Sequence, residues 1–118
     1  MENTGRKILY VGDDKNLVAN LDENYILRHE TNPSTAIDRI KRKAYYDIAL
    51  IDLSIPIWNG EDIIQVISER SPRTIIFTIS DSYSIVAERK GVRKNFSMPI
   101  RKDLFIKNIE DSLKTTSS

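Results

Sequence analysis

Ile48-Ala-Leu-Ile-Asp52, followed by Leu53-Ser-Ile-Pro56-Ile-Trp-Asn-Gly60, is the stretch on which the fold turns. Four apolar residues in succession, held between Asp47 and Asp52, read as a strand buried on both faces. Asp52 then stands where that strand opens into a loop punctuated by Pro56 and Gly60. In an open α/β sheet this is where the chemistry collects, because ligands bind outside the carboxyl ends of the strands.

Toward the amino terminus, Ile8-Leu-Tyr-Val11 is a second short apolar run, ended by Gly12 and the acids Asp13 and Asp14. Leu17, Val18 and Leu21 form a helical stripe over Asn16 to about Asn24, and Tyr25 to Glu30 returns to strand composition. Asn32-Pro33 is a helix start, with Asn as N-cap and Pro in the first turn, and Ala36, Ile37, Ile40 and Ala44 continue an apolar face.

Toward the carboxyl terminus the same alternation continues. Glu61 to Arg70 is expected as a helix with Ile63, Ile64 and Ile67 inward, stopped at Ser71-Pro72. Thr74 to Ser80 is a strand, and Tyr83 to Lys90 a weaker helix with Ile85 and Val86 inward and Gly91 suited to its cap. A short strand near Asn95-Phe-Ser97 leads through Pro99 to a last helix, about Asp103 to Leu113, with Phe105, Ile106, Ile109 and Leu113 facing in. Thr115 to Ser118 reads as a frayed tail or the start of a linker. Five βα units with near-continuous apolar strands imply an α/β fold, a parallel five-stranded sheet covered by helices on both faces. The loops after strands one, three, four and five then bring Asp13, Asp52, Thr78 and Met98 to one edge.

A chain of 118 residues suits one domain, 1–118, with its core in about 7–113. Eighteen Lys plus Arg against 17 Asp plus Glu leave a net charge of +1, with no global attraction to nucleic acid or to an anionic membrane. Cys is absent, which excludes disulfides and thiolate chemistry. No apolar run approaches the roughly 20 residues of a membrane span, and Met1 to Lys7 has no signal-peptide core. A soluble, cytoplasmic protein is expected.

With these residues in hand, the chain resembles the receiver domain of bacterial two-component response regulators, from about Lys7 to Leu113. The spacing of a phosphoacceptor Asp, Pro four residues on and Gly eight residues on is matched by Asp52, Pro56 and Gly60. Thr78 matches the hydroxyl residue that ends the fourth strand, while Met98-Pro99 stands where the family has Lys-Pro. The resemblance implies a flavodoxin-like three-layer (βα)5 fold with strand order 2-1-3-4-5.

It also implies a role in phosphorelay signal transduction rather than as an enzyme. Asp52 would be the phosphoacceptor, attacking a phosphohistidine or small phosphodonor with help from Mg²⁺. The ion would be held weakly by Asp13, Asp52 and the backbone carbonyl of Ser54. Asp14 is either a further metal-site acid or simply a favourable start for the first helix. Thr78 would hydrogen-bond the phosphoryl group, and Ile79 would crowd an approach that the family keeps open.

Three parts depart from the family pattern. Gly12 stands at the first acid, Asn95 at the aromatic switch and Met98 at the Lys, where a thioether offers no cation. The expected partner is a histidine kinase or phosphotransfer protein. A second protein partner could meet the face formed by the family's fourth helix, fifth strand and fifth helix. Arg89, Lys90, Arg93, Lys94, Arg101 and Lys102 cluster near that face, as a solvated surface or as a dock for an acidic partner. The alternative function is a phosphorylation-independent pseudo-receiver acting as an interaction module. A haloacid-dehalogenase-type phosphatase would need an Asp where Ser54 stands, and no Gly-rich phosphate loop follows the first strand. Trp58 lies beside the site as a lid or a packing residue, and the single His, His29, on an expected edge strand, makes a zinc site improbable.

Overall fold

The structure, a computed structural model, describes residues 5–53, 62–80, 91–97 and 102–116. Five strands, β1 (Lys7–Val11), β2 (Ile26–Glu30), β3 (Ile48–Asp52), β4 (Ile75–Ser80) and β5 (Val92–Ser97), form one parallel sheet in the order β2-β1-β3-β4-β5. The helices described are α1 (Lys15–Asn24), α2 (Pro33–Lys41), α3 (Ile63–Arg70) and α4 (Lys102–Thr116). The helix expected over Tyr83 to Lys90 lies outside the described residues, so α4 is the helix expected last in the chain.

The strands carry apolar residues on both sides, and each side has its own core. Ile8, Tyr10, Ile48, Leu50, Phe77 and Ile79 pack against Leu17 and Leu21 of α1 and Phe105, Ile109 and Leu113 of α4. Leu9, Val11, Ala49, Ile51 and Ile76 pack against Ala36, Ile37 and Ile40 of α2 and Ile63, Ile64 and Ile67 of α3. The result is a three-layer α/β/α arrangement, as the two-sided apolar strands require.

Local signals place the helices. Asn32 caps α2 by accepting from the Ser34 N–H, Pro33 occupies its first turn, and Asp62 caps α3 by accepting from the Ile64 N–H. Helix α2 ends with Lys43 at φ 68°, where the Lys43 N–H donates to the Ile40 carbonyl and the Ala44 N–H to the Arg39 carbonyl. That pair of bonds is a Schellman cap, usually built on glycine. Strand β5 begins at Val92, earlier than its polar composition suggested, because Val92 and Lys94 pair with β4. Among the described residues no helix is long and apolar enough to cross a membrane.

Candidate functional site

Parallel pairing brings the carboxyl ends of β1, β3, β4 and β5 to one edge. Val11 pairs with Ile51, so Gly12 and Asp52 leave the sheet at the same level, and Asp52 itself pairs with Ile79. Asp52 is half-buried and Asp13 exposed, which leaves both carboxylates accessible at the rim. By strand alternation Asp52 shares a face with Tyr10 and Ile79. Ile79, only 2% exposed, is buried in the core on the same face of the sheet as Asp52.

Tyr10 is the residue that sequence reading overlooked. It is fully buried, and its hydroxyl accepts a hydrogen bond of 3.0 Å from the Asp14 N–H. A β-carbon on Gly12 would lie 2.6 Å from Cε1 of Tyr10 and closer still to its hydroxyl end. The phenol thus fills the space into which an acid at position 12 would project. Burial, with further contributions from the charges of Asp52, Asp14 and Asp13, pushes the Tyr10 phenol up to about 12, against a lowering by the Asp14 amide. The phenol stays neutral.

His29, on edge strand β2, braces the same group. Its ring stacks on Tyr10 with centroids 5.2 Å apart, and its Nε2 meets the Gly12 carbonyl. A buried Tyr in an otherwise aliphatic strand, two residues before a Gly, was the available signal, since such a phenol needs a polar partner.

Asp14 is the N-cap of α1: its Oδ1 accepts from the N–H groups of Asn16 at 3.0 Å and Leu17 at 3.1 Å. This favours the helix-start alternative for Asp14. Among the described residues no group of three or more His, Cys, Asp or Glu is assembled for a metal. Two carboxylates beside water nevertheless suit Mg²⁺, which retains several waters and takes one or two protein carboxylates. The donor set fits a weak Mg²⁺ site.

Thr78 is fully buried, and its side chain lies on the other face of the sheet from Asp52. Its hydroxyl donates to Asn95 Oδ1 at 2.8 Å, while Asn95 Nδ2 donates to Ser80 Oγ at 3.0 Å. The residue at the aromatic-switch position is therefore tied at both ends of its amide, and Ser80 joins the set of hydroxyls near the strand end. Of the basic cluster, Lys94 reaches Asn108 of α4 at 3.1 Å and lies over the Phe96 ring, whereas Arg93 turns toward the amino edge of the sheet. Ser54, Pro56, Trp58, Gly60, Arg89, Lys90, Met98, Pro99 and Arg101 lie outside the described residues.

Neither a protein-family model nor a curated protein sequence matches the chain. Solved structures do. It is similar to a CheY-like response regulator receiver domain protein from Methanospirillum hungatei JF-1, at TM-score 0.82 and 16% identity over 97% of this chain and 98% of that one. The signal receiver domain of a putative LuxO repressor protein from Vibrio parahaemolyticus matches at TM-score 0.78 and 24% identity, over 96% of this chain and 93% of that one. The receiver domain of NtrC4 from Aquifex aeolicus matches at TM-score 0.76 and 23% identity, over 96% and 99%. The chain has the receiver-domain fold.

Proposed function

We propose that this chain is a response-regulator receiver domain in which Asp52 accepts a phosphoryl group. The observation that carries the proposal is the position of Asp52, at the carboxyl end of the central strand of a receiver-type sheet, level with the end of β1 that leads into Asp13. A carboxylate oxygen of Asp52 attacks phosphorus in line. An O–P bond forms to give an acyl phosphate, and the P–N or P–O bond to the donor breaks with its electron pair leaving on the donor. Asp13, Asp52 and the Ser54 carbonyl would hold Mg²⁺, which supplies charge neutralisation to the phosphoryl oxygens. The donor would be a histidine kinase or phosphotransfer protein in the cytoplasm, and the domain a regulatory module rather than an enzyme.

The chain's own residues make this chemistry atypical. Thr78 faces the other side of the sheet from Asp52 and its hydroxyl donates to Asn95, so this arrangement does not offer it to a phosphoryl oxygen. Met98 offers no cation where the family uses Lys. A second reading, a phosphorylation-independent interaction module, is favoured by the Thr78–Asn95–Ser80 chain and by Tyr10 in the space of the first acid.

Intact mass after incubation with a small phosphodonor and Mg²⁺ separates the two. One phosphoryl adduct, absent in Asp52→Asn, supports phosphotransfer. No adduct on a folded protein leaves the interaction module as the function.

A further inference from the structure

At the opposite edge of the sheet from Asp52 lies a cavity of about 570 Å³, walled by residues that precede the strands or begin them. Arg6 comes just before β1, Asp47 just before β3 and Arg73 shortly before β4, while Arg93 is the second residue of β5. Parallel pairing alone assembles them, because all the amino ends lie on one side. The volume is in the range of small-molecule sites, roughly 300–1,000 Å³.

Three guanidinium groups stand beside a single carboxylate among the described lining residues; Arg6 has a partner of its own, and Asp47 Oδ2 accepts from the Lys7 N–H at 2.8 Å. Arg73 and Arg93 have no ion-pair or hydrogen-bond partner among the described residues. Guanidinium is the side chain best matched to phosphate, since its planar fork donates two parallel hydrogen bonds.

The position of Arg93 has a cause in the sheet. Ile76 pairs with Val92 and Phe77 with Lys94, so Arg93 is the extra residue of a β-bulge. Bulges re-aim side chains and recur beside functional sites. Tyr45, 45% exposed, adds an aromatic face to the same wall. Aromatic faces of this kind stack on nucleobases.

We propose that this cavity binds a nucleotide carrying at least two phosphates, with the phosphates on Arg73 and Arg93 and the base against Tyr45. The site is independent of phosphotransfer at Asp52, and Asp52→Asn leaves it intact.

Titration of the ¹⁵N-labelled chain with ATP, GTP and inorganic pyrophosphate, followed by amide shifts, tests the proposal. Saturable shifts centred on Arg73, Thr74 and Arg93 are expected, with ATP or GTP bound more tightly than pyrophosphate. Arg73→Glu/Arg93→Glu, at two exposed positions, should weaken all three ligands at least tenfold. Tyr45→Ala should remove the nucleotide advantage and leave pyrophosphate unchanged. Absence of saturable shifts at millimolar ligand overturns the proposal, as do shifts spread evenly over surface Lys and Arg. Equal binding of pyrophosphate and nucleotide in the wild type overturns its nucleotide assignment.

Discussion

Tyr10 crowds position 12: a β-carbon on Gly12 would lie 2.5 to 2.6 Å from Cζ and Cε1 of its ring, so a side chain there requires the ring to shift. The missing acid and the unusual phenol are thus one feature. Gly12→Asp should not restore the family's acid. It should destabilise the fold by about 1–3 kcal/mol, the usual penalty of overpacking. Tyr10→Val in the same chain should relieve that strain, so that the double variant is more stable than the sum of the singles by more than about 1 kcal/mol. Urea unfolding of the four proteins measures this coupling, and a Gly12→Asp variant as stable as wild type would sink it.

Asp14 is assigned to the helix rather than to the metal. Asp14→Ala should lose about 1 kcal/mol of stability through two uncapped N–H groups, and Asp14→Asn should lose little, since Asn caps as well as Asp. Neither change should shift the Mg²⁺ midpoint in an NMR titration by more than a small factor, whereas Asp13→Asn should weaken it severely. A Mg²⁺ affinity that falls equally in Asp14→Asn and Asp13→Asn contradicts the assignment.

Lys43 holds a left-handed conformation, φ 68°, to close the Schellman cap of α2. A residue with a β-carbon is disfavoured there by roughly 1 kcal/mol. Lys43→Gly removes that penalty at some cost in unfolded-chain entropy, and should raise stability by about 0.5–1 kcal/mol. Lys43→Ala keeps the β-carbon and should gain nothing. Equal midpoints for Gly and Ala in chemical denaturation would rule out the conformational argument.

The fold was legible in the chain because the three central strands, β1, β3 and β4, are apolar on both sides and each of the first three helices carries a local start signal. Asp14, Asn32-Pro33 and Asp62 stand where the helix caps stand. The Asp52 position was legible for the same reason, as the first acid after a buried run. Tyr10 was not, because a Tyr in a strand fits both an apolar core and a polar site, and only the third dimension brings its hydroxyl to Asp14. The Asn95 link was hidden likewise. Its partners Thr78 and Ser80 lie on a neighbouring strand, and the register that aligns them is fixed by pairing of β4 with β5 after the bulge. Arg93 counted as part of an output-face cluster until that bulge turned it to the amino edge.

Two buried phenols should set the alkaline limit of stability. Burial raises Tyr10 from 10.0 to about 12, and burial followed by the Glu110 charge and hydrogen bond raises Tyr25 further. Both titrate higher in the folded chain than in the unfolded one, so their contribution is complete below pH 10. It is lost as pH climbs from there through the folded values, because the unfolded phenols ionise first. For Tyr10 alone the full difference is roughly 3 kcal/mol, from 1.36 kcal/mol per pKa unit. The urea midpoint should therefore fall between pH 10 and 12. Tyr25→Phe, which also surrenders the 3.2 Å bond to Glu110, should start from a lower midpoint at pH 8 and decline less steeply. Parallel slopes for the wild type and Tyr25→Phe would show that Tyr25 takes no part in the alkaline transition.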